Sequence, residues 1–311
     1  MGVETGTGAA ASTGRAGIVI TGASSGIGEA CAMHLDRQGF RVFAGVRAER
    51  DRAALRAKAS SRLTPLRLDV TDLDSIATAV RTVSEAVGEA GLAGLVNNAG
   101  IAVPGPIETV PLDLVRRQFE VNVVGQIAVI QAFLPLLRKG RGRIVNMSSI
   151  AGVAAVPFLG IYGASKFALE AMTDALRLEL RAWGISVSLV EPGAIATRIW
   201  NKSACLAESI RASADPALVA LYEPLMRGLA RRATDAERRA LSPNAVALAV
   251  VHALTAARPR LRYLVGTDAK VRAAAKRFFG DRAHDRLVAA ILRLPKSGQW
   301  MAGTGDRKVK V

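Results

Sequence analysis

Three side chains near the middle of the chain have types and a spacing that suit proton transfer. Ser149 follows a short apolar run, Tyr162 lies thirteen positions later, and Lys166 comes four positions after the tyrosine. On a helix, Tyr162 and Lys166 share one face, one turn apart. A free phenol has a pKa of about 10, and a nearby ammonium lowers that value by favouring the phenolate. With the serine hydroxyl to hydrogen-bond a substrate oxygen, we expect proton exchange with an alcohol or a carbonyl.

A tyrosine four residues before a lysine is frequent by chance, so its weight depends on a glycine-rich segment upstream. An apolar run at 17–21 precedes this segment, 22–28, which contains three glycines, and helical periodicity follows at 29–37. In such a strand–loop–helix unit the glycines let the backbone approach a pyrophosphate, and the helix N-terminus offers free N–H groups. A tight turn without a ligand is the alternative. The context favours dinucleotide binding.

The residue after the second predicted strand bears on the choice of dinucleotide. That strand covers 41–46, and Arg47 stands just past its end. A carboxylate at this point would bind the adenosine ribose hydroxyls and repel a 2′-phosphate, whereas a guanidinium suits the 2′-phosphate. The sequence therefore favours NADP over NAD. A surface arginine without a ligand is the alternative.

Strand-like and helix-like segments alternate along the whole chain. Apolar runs predict further strands at 63–68, 94–97, 144–147, 185–190 and 261–265. Helical periodicity predicts helices at 71–90, 113–137, from Tyr162 onward and at 243–256, with 200–242 irregular to helical. This alternation is typical of an α/β fold whose parallel sheet is covered by helices on both faces.

One polar residue interrupts the predicted helix at 113–137. Asparagine is unfavourable in the middle of a helix, so the position of Asn122 needs an explanation. It supports a water or a backbone kink near Lys166, or it is an ordinary buried amide. The sequence leaves these alternatives open.

Taken together, these segments resemble the short-chain dehydrogenase/reductase family over residues 17–267. Shorter segments at 119–125, 134–139, 190–193 and 262–266 resemble the branch of this family that acts on retinol and hydroxysteroids. The resemblance implies a Rossmann-type, doubly wound parallel sheet of about seven strands in one catalytic domain at 16–267. A flexible tail is expected at 1–15, and a basic, amphipathic helical extension at 268–311.

The resemblance also implies a role for each matching residue. Tyr162 would be the general acid/base, Lys166 would lower its pKa and hold the nicotinamide ribose, and Ser149, with Ser148 as its rival, would orient the substrate oxygen. Asn122 would help to position a water. The cofactor, NADP with NAD as a second option, would be bound by Gly22, Ser24, Ser25, Gly26, Ile27, Gly28, Arg47, Asp69, Val70, Asn98, Ala99, Gly100, Tyr162, Lys166, Pro192, Gly193, Ile195 and Thr197.

Composition argues against several other classes. The two cysteines, Cys31 and Cys205, imply no disulfide framework, which fits a reducing compartment. We see no signal-peptide pattern and no run near the roughly 18 apolar residues that span a bilayer, so a cytoplasmic protein is expected. The three histidines are scattered without ligand spacing, so no metal site is expected.

The formal net charge of +16 is concentrated in the last fifty or so residues. Nucleic-acid binding is one interpretation of such an excess of positive charge, but the sequence shows no motif of a nucleic-acid-binding module. We therefore expect a solvated basic surface and no nucleic-acid partner. Segments 269–279 and 284–294 are amphipathic, which suits a membrane-surface helix pair, a lid over the pocket or plain packing against the domain.

The segments expected to surround the substrate are apolar, namely 153–159, Ile199 with Trp200, and 218–226. They predict a lipophilic secondary alcohol or ketone of steroid, retinoid or long-chain type. The family resemblance implies a homodimer or homotetramer. Two alternative functions share the same fold: a dinucleotide-binding regulator or scaffold without turnover, and an isomerase or dehydratase that uses bound cofactor transiently.

Overall fold

The computed structural model describes residues 17–292 and Leu294. The side chains of residues 230–237, 287, 291 and 292 are not described. The predicted tail at 1–15 and the end of the predicted extension, at 293 and 295–311, therefore lie outside the described residues.

Across the described residues, seven strands form one sheet in which every pairing is parallel. The strand order is β3-β2-β1-β4-β5-β6-β7, so the chain moves outward from β1 and then returns to its other side. This confirms the predicted doubly wound sheet. The strands are β1 Gly17–Ile20, β2 Arg41–Val46, β3 Leu63–Arg67, β4 Leu92–Asn97, β5 Arg143–Met147, β6 Ser186–Pro192 and β7 Arg262–Val265.

Helices cover both faces of the sheet. The helices of the described chain are α1 Gly26–Arg37, α2 Glu49–Arg56, α3 Leu73–Val87, α4 Leu112–Phe119, α5 Gly125–Gly140, α6 Gly160–Glu179, α7 Arg198–Ser213, α8 Pro216–Arg238, α9 Pro243–Thr255, α10 Thr267–Phe278 and α11 Asp281–Leu292. Helices α1, α2 and α9 contribute to the apolar core on one face, and α3, α5 and α6 to the core on the other.

The alternation of side chains along β1 shows why its sequence is apolar throughout. Ile18 and Ile20 enter the core beneath α1 and α9, whereas Val19 enters the opposite core. Successive side chains of a strand point to opposite faces, so a parallel strand covered on both faces has no solvent side. All four residues of β1 are accordingly buried.

Two stretches differ from the helices expected from the sequence. Helix α2, Glu49–Arg56, was not predicted, because Leu55 is its only buried residue and a single apolar position gives no periodicity. The predicted helix at 113–137 is divided into α4 and α5 by a π-helical turn at Glu120–Val124. The stretch predicted as irregular to helical, 200–242, is largely the two helices α7 and α8.

By length and composition, the stretch Leu112–Gly140 could cross a membrane. Half of its most apolar window is buried inside the protein. Val129, Phe133 and Leu137 are fully buried in the core beneath α5. The apolar character of this stretch is therefore explained by packing against the sheet.

Helix α1 packs closely on the turn that follows β4, and Gly28 makes this possible. A Cβ at Gly28 would lie 2.5 Å from Asn98 Nδ2 and would also overlap the Gly22 carbonyl oxygen. Helix and turn could not keep this separation with any larger residue. Gly228, in α8, has nothing within 4 Å of the corresponding position.

An ion-pair cluster at the edge of the sheet fixes α6 against β6 and β7. Arg262, at the start of β7, lies 3.2 Å from Glu191 of β6, and it also pairs with Glu170 at 3.2 Å and Asp174 at 2.8 Å on α6. The segments 190–193 and 262–266, which resemble the retinol and hydroxysteroid branch of the family, are therefore in contact with each other.

Two buried carboxylates share the single guanidinium of this cluster. Glu191 is 1% exposed and Glu170 is 8% exposed. Burial raises the pKa of Glu191 to about 7, the nearby Glu170 adds to the rise, and Arg262 opposes it. An unfolded glutamate titrates near pH 4.3. Between that pH and about 7 the native state holds a proton that the unfolded state has lost, so stability falls as pH rises.

We expect Gly28→Ala to lower the free energy of unfolding by about 1–3 kcal/mol, the usual cost of overpacking. Gly228→Ala is the matched control, a glycine-to-alanine change in an open helical position, and should gain up to about 1 kcal/mol. Urea unfolding of both variants measures the difference. Equal stability of the two variants would contradict the close approach of α1 to the turn.

Glu191→Gln should remove a pH-dependent part of the stability. The wild type should lose about 3 kcal/mol relative to the variant between roughly pH 4.5 and 7, since one pKa unit corresponds to about 1.4 kcal/mol. Urea unfolding across this pH range measures the difference between the two proteins. Glu89→Gln, a change at a side chain that is 96% exposed, is the control. A Glu191→Gln variant that differs from the wild type by a constant amount at every pH rules out this titration.

Candidate active site

A cavity of about 380 Å³ lies at the carboxyl ends of the strands, where the sheet order reverses between β1 and β4. Doubly wound sheets bind ligands at this place. Of the site residues predicted from the sequence, all but Gly28 and Asn122 line the cavity. The predicted residues that line it are Gly22, Ser24, Ser25, Gly26, Ile27, Arg47, Asp69, Val70, Asn98, Ala99, Gly100, Ser149, Tyr162, Lys166, Pro192, Gly193, Ile195 and Thr197.

The glycine loop is tied to the turn that follows β4. Asn98 Nδ2 donates to the carbonyl oxygens of Thr21 and Gly22 at 3.0 and 3.1 Å. In return, the Thr21 hydroxyl accepts from the backbone N–H groups of Asn98 and Ala99 at 3.0 Å. Thr21 was missed as a site residue, because a threonine that ends a strand carries no distinctive pattern.

The backbone of the glycine loop leaves donors available at the start of α1. Gly22 and Gly26 have φ values of +66° and +60°, a region that favours glycine. Ser25 is the N-cap residue of α1, but its side chain forms no cap hydrogen bond. The first N–H groups of a helix have no partner inside the helix, so those of α1 can bind an anion.

Two guanidinium groups lie around Asp69 at one end of the cavity. Burial acts to raise the pKa of Asp69, but hydrogen bonds from Thr71 and the charges of Arg47 and Arg117 outweigh it and hold the pKa below its usual range. The Asp69 carboxylate accepts from Thr71 N at 3.0 Å and from Thr71 Oγ1 at 2.9 Å. Arg117 was not predicted, since a basic residue on a helix is usually only solvated. Within the described chain, neither arginine forms an ion pair.

At the other end, Tyr162 and Ser149 come together. Tyr162 lies in the first turn of α6 and is 6% exposed. Burial raises the pKa of its hydroxyl, and a hydrogen bond with Ser149 acts in the opposite direction. The rival serine, Ser148, also lines the cavity, and its hydroxyl opposes the rise that burial causes in the pKa of Glu170. Of the two serines only Ser149 affects the pKa of Tyr162, and its role in orienting a substrate oxygen stays a prediction.

Lys166 is buried one turn beyond Tyr162, as its spacing predicted. Its Nζ donates to the Met147 carbonyl oxygen at 2.7 Å and lies 5.9 Å from the centre of the Tyr162 ring. Burial lowers the pKa of Lys166 to about 8, and Glu170 opposes this change. That this ammonium lowers the Tyr162 pKa stays a prediction. Burial dominates at the phenol, and the ammonium is engaged by a backbone carbonyl.

Asn122 does not reach the cavity but holds the loop that lines it. The residue lies in the π-helical turn between α4 and α5, where its Oδ1 accepts from Ile101 N at 2.9 Å. Its Nδ2 donates to Ile101 O at 3.0 Å and to Ser165 Oγ at 3.2 Å. Gln118, which was not predicted, binds the same loop through Val103 N at 2.7 Å and Ile101 O at 2.9 Å. Of the alternatives left open, the kinked backbone with a structural amide matches this geometry.

The apolar side of the cavity differs in part from the expected wall. Ile199 and Trp200 line it as predicted, and the Trp200 ring lies 6.3 Å from that of Tyr162 in an edge-to-face arrangement. Segments 153–159 and 218–226 do not line it. Phe158 and Tyr222 pack edge-to-face against each other instead, with ring centres 6.1 Å apart. Further apolar lining comes from Ile101, Ala102, Val103, Leu114 and Leu206.

Solved structures with this architecture include three short-chain dehydrogenases. One from Streptomyces avermitilis has a TM-score of 0.71 and 29% identity, with 91% of this chain and 96% of that chain covered. One from Burkholderia cenocepacia, in complex with NADP, has a TM-score of 0.67 and 25% identity over 91% and 98% of the two chains. One from Burkholderia phymatum, in complex with NAD, has a TM-score of 0.68 and 25% identity, with 96% of this chain and 99% of that chain covered.

Curated relatives are more similar in sequence. NADPH-dependent 3-dehydrocapnine reductase of Ornithobacterium rhinotracheale is 36% identical over 274 residues, which cover 86% of this chain and 94% of the relative. Human 17-beta-hydroxysteroid dehydrogenase type 6 is 40% identical over 266 residues, 81% of each chain. Mouse retinol dehydrogenase 16 is 40% identical over 260 residues, 82% and 81% of the two chains. The family model for short chain dehydrogenases matches residues 16–205, and this chain belongs to that family of oxidoreductases.

Proposed function

We propose that this protein is an NADP-preferring oxidoreductase that interconverts a lipophilic secondary alcohol and its ketone, with Tyr162 as the general acid/base. One observation carries the proposal. A buried phenol, whose pKa the neighbouring Ser149 acts to lower, lies one helical turn from Lys166 and lines the same cavity as an uncapped helix N-terminus. Proton transfer and anion binding are thereby available to molecules that share one space.

The residues around the cavity fit a nicotinamide dinucleotide. A Cβ at Gly22 would lie 2.8 Å from Ala99 Cα, so only glycine leaves room for the loop. The glycine loop would hold the diphosphate. On the adenosine side, Arg47 would bind the 2′-phosphate, Asp69 and Val70 would contact the adenine, and the segment Asn98 to Gly100 would line the adenosine. On the nicotinamide side, Lys166 would bind the ribose, and the segment Pro192 to Thr197 would contact the carboxamide. The bound dinucleotide supplies the hydride.

The protein itself supplies orientation and one proton. In ketone reduction, the Tyr162 hydroxyl donates its proton to the carbonyl oxygen while Ser149 hydrogen-bonds that oxygen. In alcohol oxidation the phenolate takes the proton back. Because burial raises the pKa of Tyr162, the neutral phenol is the prevailing form near pH 7. That form suits the reduction direction.

The apolar lining supports a lipophilic substrate. Around Tyr162 it is formed by Ala102, Ile199 and Trp200, which offer no charged group to a ligand. Relatives whose names refer to a hydroxysteroid, retinol and 3-dehydrocapnine are similar over most of the chain. We infer a ketone or secondary alcohol of steroid, retinoid or long-chain type.

We further infer a cytoplasmic homo-oligomer with peripheral membrane contact through the extension. Exposed apolar residues on α6 and in the turn just after it, namely Phe167, Leu178 and Trp183, support self-association. Val271 and Phe278 on α10, and Phe279 just after it, are exposed among basic residues, an arrangement that suits the surface of an anionic bilayer.

Tyr162→Phe should bind NADPH as the wild type does and reduce a ketone at least a hundredfold more slowly, because general acid catalysis contributes about 10²–10⁴. NADPH fluorescence titration and ketone-dependent loss of NADPH absorbance measure the two quantities. Tyr263→Phe is the control: it removes a buried hydroxyl bonded to His252 and Arg260 and should cost stability of about 1 kcal/mol without loss of rate. A wild type that binds NADPH but reduces nothing in a broad lipophilic panel favours the regulator alternative.

Arg47→Ala should lower kcat/KM with NADPH by about ten- to a hundredfold and leave the NADH value nearly unchanged, because a charge-assisted hydrogen bond contributes about 1.5–3 kcal/mol. Parallel assays with both cofactors measure the ratio. Arg50→Ala, at an exposed guanidinium three residues further on, is the matched control. Equal losses with both cofactors speak against a 2′-phosphate contact.

A further inference from the structure

Helix α10 holds two loops of the candidate active site through side chains one turn apart. Asp268 Oδ2 accepts from Ala194 N at 2.9 Å, in the loop that follows β6. Arg272 Nη2 donates to Ala154 O at 2.8 Å, in the loop that follows β5. Positions i and i+4 of a helix share one face. A single turn of α10 therefore contacts the loops that follow two neighbouring strands.

Each of these loops carries residues that line the cavity. Pro192, at the end of β6, lines the cavity, and the loop after β6 contributes Gly193, Ile195 and Thr197. The loop after β5 begins with Ser148 and Ser149, which both line the cavity, and the residues that follow them pack on α6. Ala151 packs against Tyr162, and a Cβ at Gly152 would lie 3.1 Å from Lys166 Cβ. A shift of either loop would move a wall of the reaction space.

The carboxylate of Asp268 occupies a slot between two glycines. A Cβ at Gly193 would overlap this carboxylate, and one at Gly266 would lie 2.5 Å from Asp268 Oδ1. Gly266 has a φ of +108°, a conformation that favours glycine. Side-chain-free positions on both sides of one carboxylate show that this contact is a close-packed part of the fold.

The Arg272 contact joins a charged donor to a buried segment. Ala154 is 1% exposed. Burial lowers the pKa of Arg272, and the nearby Asp268 opposes the change, so the two side chains also interact with each other. Hydrogen bonds from an ionised donor are stronger than neutral ones. Both contacts are consequently expected to restrain the loops that they bind.

We propose that Asp268 and Arg272 are positioning residues that set the separation between the loop after β6 and the loop that carries Ser149. Helix α10 thereby belongs to the machinery of the site and is more than an appended surface helix. The expected change in kcat rests on the proposed oxidoreductase function. The expected change in NADPH affinity does not depend on turnover.

The test uses the full chain with four variants. Asp268→Ala should weaken NADPH binding about tenfold, because the loop expected to meet the nicotinamide loses its anchor. Asp268→Asn should recover most of the affinity, since the amide oxygen still accepts from Ala194 N. Arg272→Met should lower kcat about tenfold with little change in the KM for NADPH, and Arg272→Lys should recover part of kcat.

Asp281→Ala and Arg277→Met are the controls, because these residues lie on α11 and α10 and contact neither loop. Fluorescence titration gives the Kd for NADPH, steady-state assays give kcat and KM, and thermal unfolding gives Tm. A purely structural role would lower Tm and leave Kd, kcat and KM per folded molecule unchanged, which would overturn the proposal. If the wild type reduces no ketone, the proposed function fails, and the Kd of the two Asp268 variants still decides the inference.

Discussion

The burial of one ammonium group governs the geometry of the site. Lys166 is 4% exposed, and its Nζ finds the Met147 carbonyl at the end of β5. A buried charge without a partner costs several kcal/mol, so α6 must lie where this carbonyl is within reach. Tyr162, one turn earlier on α6, is thereby carried to the side of the cavity where Ser149 lies. Glu170, one turn later, opposes the fall of the Lys166 pKa and links the helix to the Arg262 cluster.

Side-chain hydrogen bonds to backbone groups then hold the loops around that fixed helix. Asn98 joins the loop after β4 to the loop after β1. Gln118 joins the same β4 loop to α4, and Asn122 joins it to the π-helical turn. Buried polar groups need partners, and a loop is rich in backbone groups that no strand or helix satisfies. Amides suit this purpose because each one both donates and accepts. The positions of the cavity walls therefore depend on a few buried amides as much as on apolar packing.

The sequence predicted the sheet and most of the site because both rest on local patterns. Apolar runs located the strands within a few residues, the glycine loop and the tyrosine–lysine spacing identified part of the cavity, and the family resemblance implied the other cavity residues. Local sequence patterns did not predict the properties that depend on burial in three dimensions. The pKa of Tyr162 rises because the phenol is enclosed, which no spacing reveals, and Gly28 serves the packing of α1 on a turn that is about seventy residues away in sequence. Helix α2 and the segments 153–159 and 218–226 were misjudged because composition does not say which neighbour an apolar residue meets.

The cavity has two chemically different ends, and Tyr162 lies at the apolar one. Arg47 and Arg117 surround the Asp69 end, whereas Ile199 and Trp200 surround Tyr162. A molecule that fills the first end needs anionic groups, and one that fills the second needs apolar surface. The phenol at the second end is buried, with 6% of its surface exposed. In a site of low dielectric constant a hydrogen bond to a developing oxygen charge is stronger than in water, so the enclosure that raises the Tyr162 pKa also strengthens the contact through which its proton would move.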